Sequence, residues 1–238
     1  MGRLDSKIAK ERRERQHPAG RQGRSENTRS VEVRFLIVCE GEKTEPNYFK
    51  ALIEAYKTKG STVRTAMIEG VARGTSSLVK KAIEIQRELE RRNAMSFDSK
   101  WVVFDKDDFR DFGQAIQRAG QADFKSAWSN EAFELWYYLH FNYLDAAISR
   151  DDYIKKLEGF LSERIGGTFS YHKNDPQMYD LLRRFGNEEQ AKKWACSLQK
   201  MHYEKPYSDQ CPCTTVNELV DEIESPEGLI SSVTERLS

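Results

Sequence analysis

The sequence is poor in cysteine and contains no long apolar run. Four cysteines among 238 residues are too sparse for a small disulfide-stapled domain and favour a reducing compartment. No segment approaches the roughly 20 apolar residues that a membrane-spanning helix requires. The first residues also lack the apolar core of a signal peptide. We therefore expect a cytoplasmic protein that does not enter the membrane.

The chain also lacks net charge, but its charges are unevenly distributed. Residues 1–30 hold nine basic and four acidic side chains, a net charge of +5, so the remaining 208 residues carry −5. A flexible basic arm of this kind can contact the phosphates of a nucleic acid. An equally simple interpretation is a solvated tail, and the sequence leaves both open.

Short apolar runs alternate with amphipathic segments in the first half of the chain. The spacing predicts strands at about 32–39, 63–68, 100–105 and 122–127, separated by helices at about 45–58, 76–92 and 110–119. This alternation predicts a four-stranded, mainly parallel α/β sheet of the Rossmann-like class, with helices on both faces.

From about residue 131 the pattern is helical throughout. Helices are predicted at about 131–141, 151–164, 175–185, 187–201, 214–224 and 226–237. We therefore predict three parts: a flexible arm over 1–30, an α/β domain over 31–130, and a helical region over 131–238 packed on that domain.

Acidic residues follow two of the apolar strands. Glu40 ends the first, and Asp105 and Asp107 follow the third. Ligands collect at the carboxyl ends of parallel strands, and residues two apart beyond a strand can point the same way. Three carboxylates there would suit Mg²⁺ or Mn²⁺. Alternatively, these acids are solvated loop or helix-capping residues.

Three further residues are candidates for the same site. Glu134 lies in an otherwise apolar, aromatic segment and needs a cation or a basic side chain as its partner. Lys43 and Lys173 are candidates to neutralise a pentavalent phosphate, although either can be an ordinary surface lysine. A zinc interpretation is suggested by Cys196, His202, Cys211 and Cys213, but their spacing lacks the paired ligands of common zinc sites.

Several motifs resemble those of the RloB family, whose members carry a Toprim domain. Similar segments occur, in the same order, at residues 38–49, 103–108, 129–141, 171–173 and 212–220. The resemblance covers about residues 33–222. The chain departs from the family pattern at Glu131 and Ala132, which replace Pro-Cys, and at Cys211, which replaces Asn.

This resemblance implies a metal-dependent nuclease of phage defence that acts with an ABC-type ATPase. It implies a Toprim fold in which Glu40, Asp105 and Asp107 hold Mg²⁺ or Mn²⁺ and act with Lys43, Glu134 and Lys173 on DNA or RNA, tRNA included. A homo-oligomer is compatible with the sequence.

Two other interpretations remain. The Asp-x-Asp motif also occurs in HAD-like phosphatases, where the first acid is a nucleophile, but there it follows the first core strand. The chain could also be a non-catalytic subunit that binds nucleic acid.

Overall fold

The computed structural model describes residues 33–58, 63–70, 75–93, 96–106, 111–226 and 229. The predicted basic arm over 1–30 lies outside this part of the chain. Nearly all of the predicted helix over 226–237 also lies outside it.

A parallel sheet forms the centre of the fold. Strands β1 (Val33–Cys39), β2 (Val63–Gly70), β3 (Ser99–Asp105) and β4 (Lys125–Asn130) pair in parallel in the order β2-β1-β3-β4. The predicted four-stranded α/β architecture is therefore confirmed. A fifth strand, β5 (Cys213–Thr214), pairs antiparallel with β4 at the sheet edge, and a strand of two residues has no recognisable sequence pattern.

A short 3-10 helix covers Tyr207–Asp209, and eight α-helices are found among the described residues. They are α1 (Thr44–Thr58), α2 (Thr75–Asn93), α3 (Phe112–Gln121), α4 (Glu134–Leu139), α5 (Arg150–Ile165), α6 (Met178–Phe185), α7 (Glu188–His202) and α8 (Val216–Glu224). Most bounds agree with the prediction to within three residues. The main differences are β4, which begins three residues later than predicted, and α4, which is shorter. A turn delays β4: it follows α3 and includes Asp123 in a left-handed conformation with φ 59°.

Both faces of the sheet are buried. Phe35 and Ile37 of β1 face a core shared with α1 and the helices from α4 onward, whereas Leu36 and Val38 face a second core with α2 and α3. Successive residues of a strand point to opposite faces, so an unbroken apolar run is what a doubly covered strand requires. Among the described helices, none is long and apolar enough to cross a membrane.

Candidate active site at the carboxyl edge of the sheet

Two of the predicted acids lie at the ends of neighbouring strands. Glu40 directly follows β1, and Asp105 is the last residue of β3. Cys39 is level with Val103 in the parallel register, and the backbone N–H of Glu40 donates to the carbonyl of Val103 at 2.8 Å. Glu40 is half-buried and Asp105 is only 8% exposed. The sheet therefore brings both acids to one edge, as predicted.

Arg150 connects Asp105 with Glu134. Its Nη2 lies 3.0 Å from Oδ2 of Asp105, and its Nε lies 3.4 Å from Oε2 of Glu134. Arg150 is the first residue of α5, and Ser149 caps this helix by accepting from the backbone N–H of Asp152 at 3.2 Å. A guanidinium can bridge two carboxylates because its donors are fixed in one plane. Thus the partner that Glu134 requires is a basic side chain.

Glu134 has a second partner in Tyr171. The hydroxyl of Tyr171 donates to Oε1 of Glu134 at 2.9 Å. Burial, followed by the nearby charge of Glu134, raises the pKa of Tyr171, so the phenol stays protonated and remains a donor. Both carboxylate oxygens of Glu134, which is 2% exposed, are therefore engaged.

A fourth carboxyl group, that of Glu45, lies close to this network. Glu45 belongs to the first turn of α1 and is 6% exposed, and its Oε2 has no hydrogen-bond partner within the described chain. Burial raises its pKa, and the charge of Glu134 raises it further, whereas its own backbone N–H, Lys173 and Arg150 act in the opposite direction. Glu45 is thus part of the site rather than a solvated helix-start residue.

The loop that carries Lys173 is fastened to the start of α1. The hydroxyl of Thr44 donates to the carbonyl of Lys173, and the side-chain amide of Asn47 donates to the carbonyl of Asn174 at 3.2 Å. Thr44, the first residue of α1, therefore holds this loop. Lys43 lies exposed beside the same helix start. The charge of Lys173 acts on Glu45 and lowers its pKa, against the larger effect of burial.

The carboxylates suit a hard divalent cation, but the third predicted ligand, Asp107, lies outside the described residues. Glu40 and Asp105 supply the oxygen ligands that Mg²⁺ and Mn²⁺ prefer. Within the described ranges, no three His, Cys, Asp or Glu side chains converge closely enough to hold a metal ion.

Sequence reasoning missed Arg150 and Glu45 as members of this site. The pattern Ser149-x-x-Asp152 is a recognisable helix start, yet it does not indicate what Arg150 contacts 45 residues earlier in the chain. Glu45 has the sequence context of an ordinary acid in a first helical turn. An aromatic cavity of about 940 Å³ along α3 and β4, lined in part by Trp128 and Tyr207, contains none of the predicted site residues.

The fold and this edge define a Rossmann-like α/β protein in which one guanidinium contacts a carboxylate at a strand end and a carboxylate in a helix. Residues 35–223, more than three quarters of the chain, match the family described as RloB-like protein. The chain therefore belongs to the RloB-like family. No curated protein and no solved structure shows significant similarity to it.

Proposed function

We propose that this protein is a Toprim-type, Mg²⁺- or Mn²⁺-dependent nuclease that hydrolyses phosphodiester bonds in DNA or RNA. The observation that supports it most directly is the location of Glu40 and Asp105 at the ends of neighbouring strands in an RloB-like chain. Phosphoryl transfer requires a bound cation and positive charge that neutralises the charge developing on the phosphate. The two acids at this edge can bind the cation, and basic side chains can supply the positive charge.

The chain's own groups divide into three roles. Glu40, Asp105 and Asp107 would hold the divalent cation, which when bound polarises the phosphate and lowers the pKa of water. Lys43 and Lys173 would neutralise charge on the phosphate oxygens. Glu134 would act through Arg150, whose guanidinium it shares with Asp105, and Glu40 would also be able to move a proton to or from a reacting oxygen.

The cellular role follows from the family resemblance. We propose that the protein acts in the cytoplasm in defence against phage, with an ABC-type ATPase as its partner and nucleic acid as its substrate. The basic arm over 1–30, at +5, supplies positive charge that the acidic remainder of the chain lacks, which favours contact with phosphates.

The test is cleavage of single- and double-stranded DNA, RNA and tRNA by the full chain with Mg²⁺, Mn²⁺ or EDTA, each with and without the ATPase. Asp105→Asn keeps the shape of the side chain but removes its charge, and we expect cleavage to fall at least about 100-fold. The matched control is Asp123→Asn, which changes a 93% exposed side chain at the opposite end of the sheet.

Unchanged cleavage by Asp105→Asn would overturn the assignment of this edge as the active site. Binding of nucleic acid without metal-dependent cleavage of any of these substrates, with or without the ATPase, would favour a non-catalytic subunit instead.

A further inference from the structure

The buried bridge from Asp105 through Arg150 to Glu134 bears on how many cations the site holds. From it we infer that Arg150 supplies the second positive charge of the centre, so that the site binds a single divalent cation. This inference rests on the proposed nuclease function and specifies the composition of the same site. Two-metal nucleases place two cations between shared carboxylates, and here a guanidinium lies between two carboxylates.

Glu134 is the other carboxylate that Arg150 contacts, and it is therefore the candidate ligand of a second cation. Its Oε1 accepts from Tyr171 and its Oε2 faces Arg150, with 2% of the residue exposed to solvent. A cation at Glu134 would have to give up its hydration in a site that solvent hardly reaches and where both carboxylate oxygens already have partners, which is costly.

Asp105 is placed differently. It lies at the strand end beside Glu40, and its Oδ2 accepts from Arg150 at 3.0 Å. A carboxylate has about four lone-pair positions, so Asp105 can bind a cation while it keeps its contact with Arg150. The guanidinium thus holds the orientation of Asp105 and stays close to the cation that Asp105 would bind.

An arginine suits this role better than a lysine. Its five donors form a rigid planar fork that fits two carboxylates at once, and it stays charged at all accessible pH values. Ser149 fixes its backbone at the capped start of α5, so the charge is in place before substrate binds. This is preorganised electrostatic stabilisation.

The experiment counts Mn²⁺ ions bound to the full chain, by electron paramagnetic resonance of free Mn²⁺ and by calorimetry. We expect one ion per chain in the wild type, and one in Glu134→Gln with a Kd within about threefold of the wild type. Arg150→Gln removes a positive charge near the cation, so we expect Mn²⁺ to bind at least about fivefold more tightly while kcat falls at least about tenfold. A purely structural arginine would not produce tighter binding together with slower turnover.

Arg150→Lys keeps the positive charge but lacks the planar guanidinium. We expect its Kd for Mn²⁺ to equal that of the wild type and its kcat to lie between those of Arg150→Gln and the wild type. Arg87→Gln, on the exposed side of α2, is the matched control. If Arg150→Gln does not fold, the number of Mn²⁺ ions bound by the wild type and by Glu134→Gln still decides between one cation and two. Two Mn²⁺ ions per wild-type chain, falling to one in Glu134→Gln, would overturn the inference and leave the nuclease proposal intact. No bound Mn²⁺ would instead overturn the proposed metal dependence, and the inference with it.

Discussion

The carboxyl group of Glu45 fills the space that a β-carbon on Gly41 would need. A β-carbon built at Gly41 would lie 2.1 Å from Oε2 of Glu45 and 2.9 Å from its Cδ. Among the described glycines, Gly166 has positive φ and Gly41 does not. Glycine therefore lets the backbone after Glu40 approach a buried acid closely, and it does not serve a left-handed turn.

Gly41→Ala tests this contact. The carboxyl group of Glu45 would have to shift within a buried site, so we expect overpacking to lower the free energy of unfolding by about 1–3 kcal/mol. Gly159→Ala, in the middle of α5 with open space around it, is the control and should stabilise the protein by about 0.5–1 kcal/mol. Urea denaturation of both variants gives the comparison. Equal stability of Gly41→Ala and the wild type would contradict the packing described here.

Glu45 should also make stability depend on pH. Its pKa is raised above the ordinary 4.5, first by burial and then by Glu134, against its own backbone N–H, Lys173 and Arg150. Between 4.5 and the raised value, the folded state binds more protons than the unfolded state, so stability falls as pH increases. Glu45→Gln should reduce this fall across that window.

The measurement is urea denaturation from pH 4 to pH 8. The control is Glu54→Gln on the same helix, whose side chain is 72% exposed, and it should follow the wild-type profile. If the stability of Glu45→Gln and that of the wild type change with pH in parallel, the carboxyl group of Glu45 is not the cause of the pH dependence.

Tyr171→Phe removes the hydroxyl that donates to Glu134. The carboxylate of Glu134 is buried, so the loss of a charge-assisted hydrogen bond should cost about 1.5–3 kcal/mol of unfolding free energy. Tyr203→Phe, at an 84% exposed position, should have no measurable effect. Thermal melting of both variants provides the measurement, and an unchanged Tm for Tyr171→Phe would show that this hydrogen bond adds nothing to stability.

Glu40→Gln separates the nuclease from a HAD-like phosphatase. A nuclease that activates water forms no aspartyl-phosphate, whereas the phosphatase phosphorylates the first acid of Asp-x-Asp. We expect Glu40→Gln to lower cleavage at least about 100-fold and to weaken Mn²⁺ binding, and we expect no hydrolysis of small phosphomonoesters by the wild type. Glu42→Gln, at an exposed position two residues away, is the control. Trapping Asp105 as a fluoroberyllate adduct would instead support the phosphatase.

Deletion of residues 1–30 tests the basic arm. For duplex DNA, the slope of log K against log salt should become shallower by about 0.9 for every phosphate that the arm neutralises in the full chain. We expect weaker binding and a shallower slope, measured by fluorescence anisotropy over a range of salt concentrations. The arm would be only a solvated tail if affinity and slope are both unchanged.

The sequence alone determined the order of elements and the positions of two acids. A strand that is buried on both faces appears in the sequence as an unbroken apolar run, as over residues 35–38, so it can be predicted without the structure. Glu40 and Asp105 could be assigned to one edge because parallel strands all end on the same side. Family motifs supplied the remaining expectations, including the lysines.

The tertiary structure alone decided which charges meet. Arg150 reaches Asp105 and Glu134 from a helix that begins 45 residues after the strand, and Glu45 turns inward against Gly41. Neither contact leaves a local pattern, since a charged residue in a first helical turn is equally compatible with solvent. Whether a charge is buried, and with what it pairs, depends on side chains that the whole fold brings together. The local periodicity of the sequence does not indicate these partners.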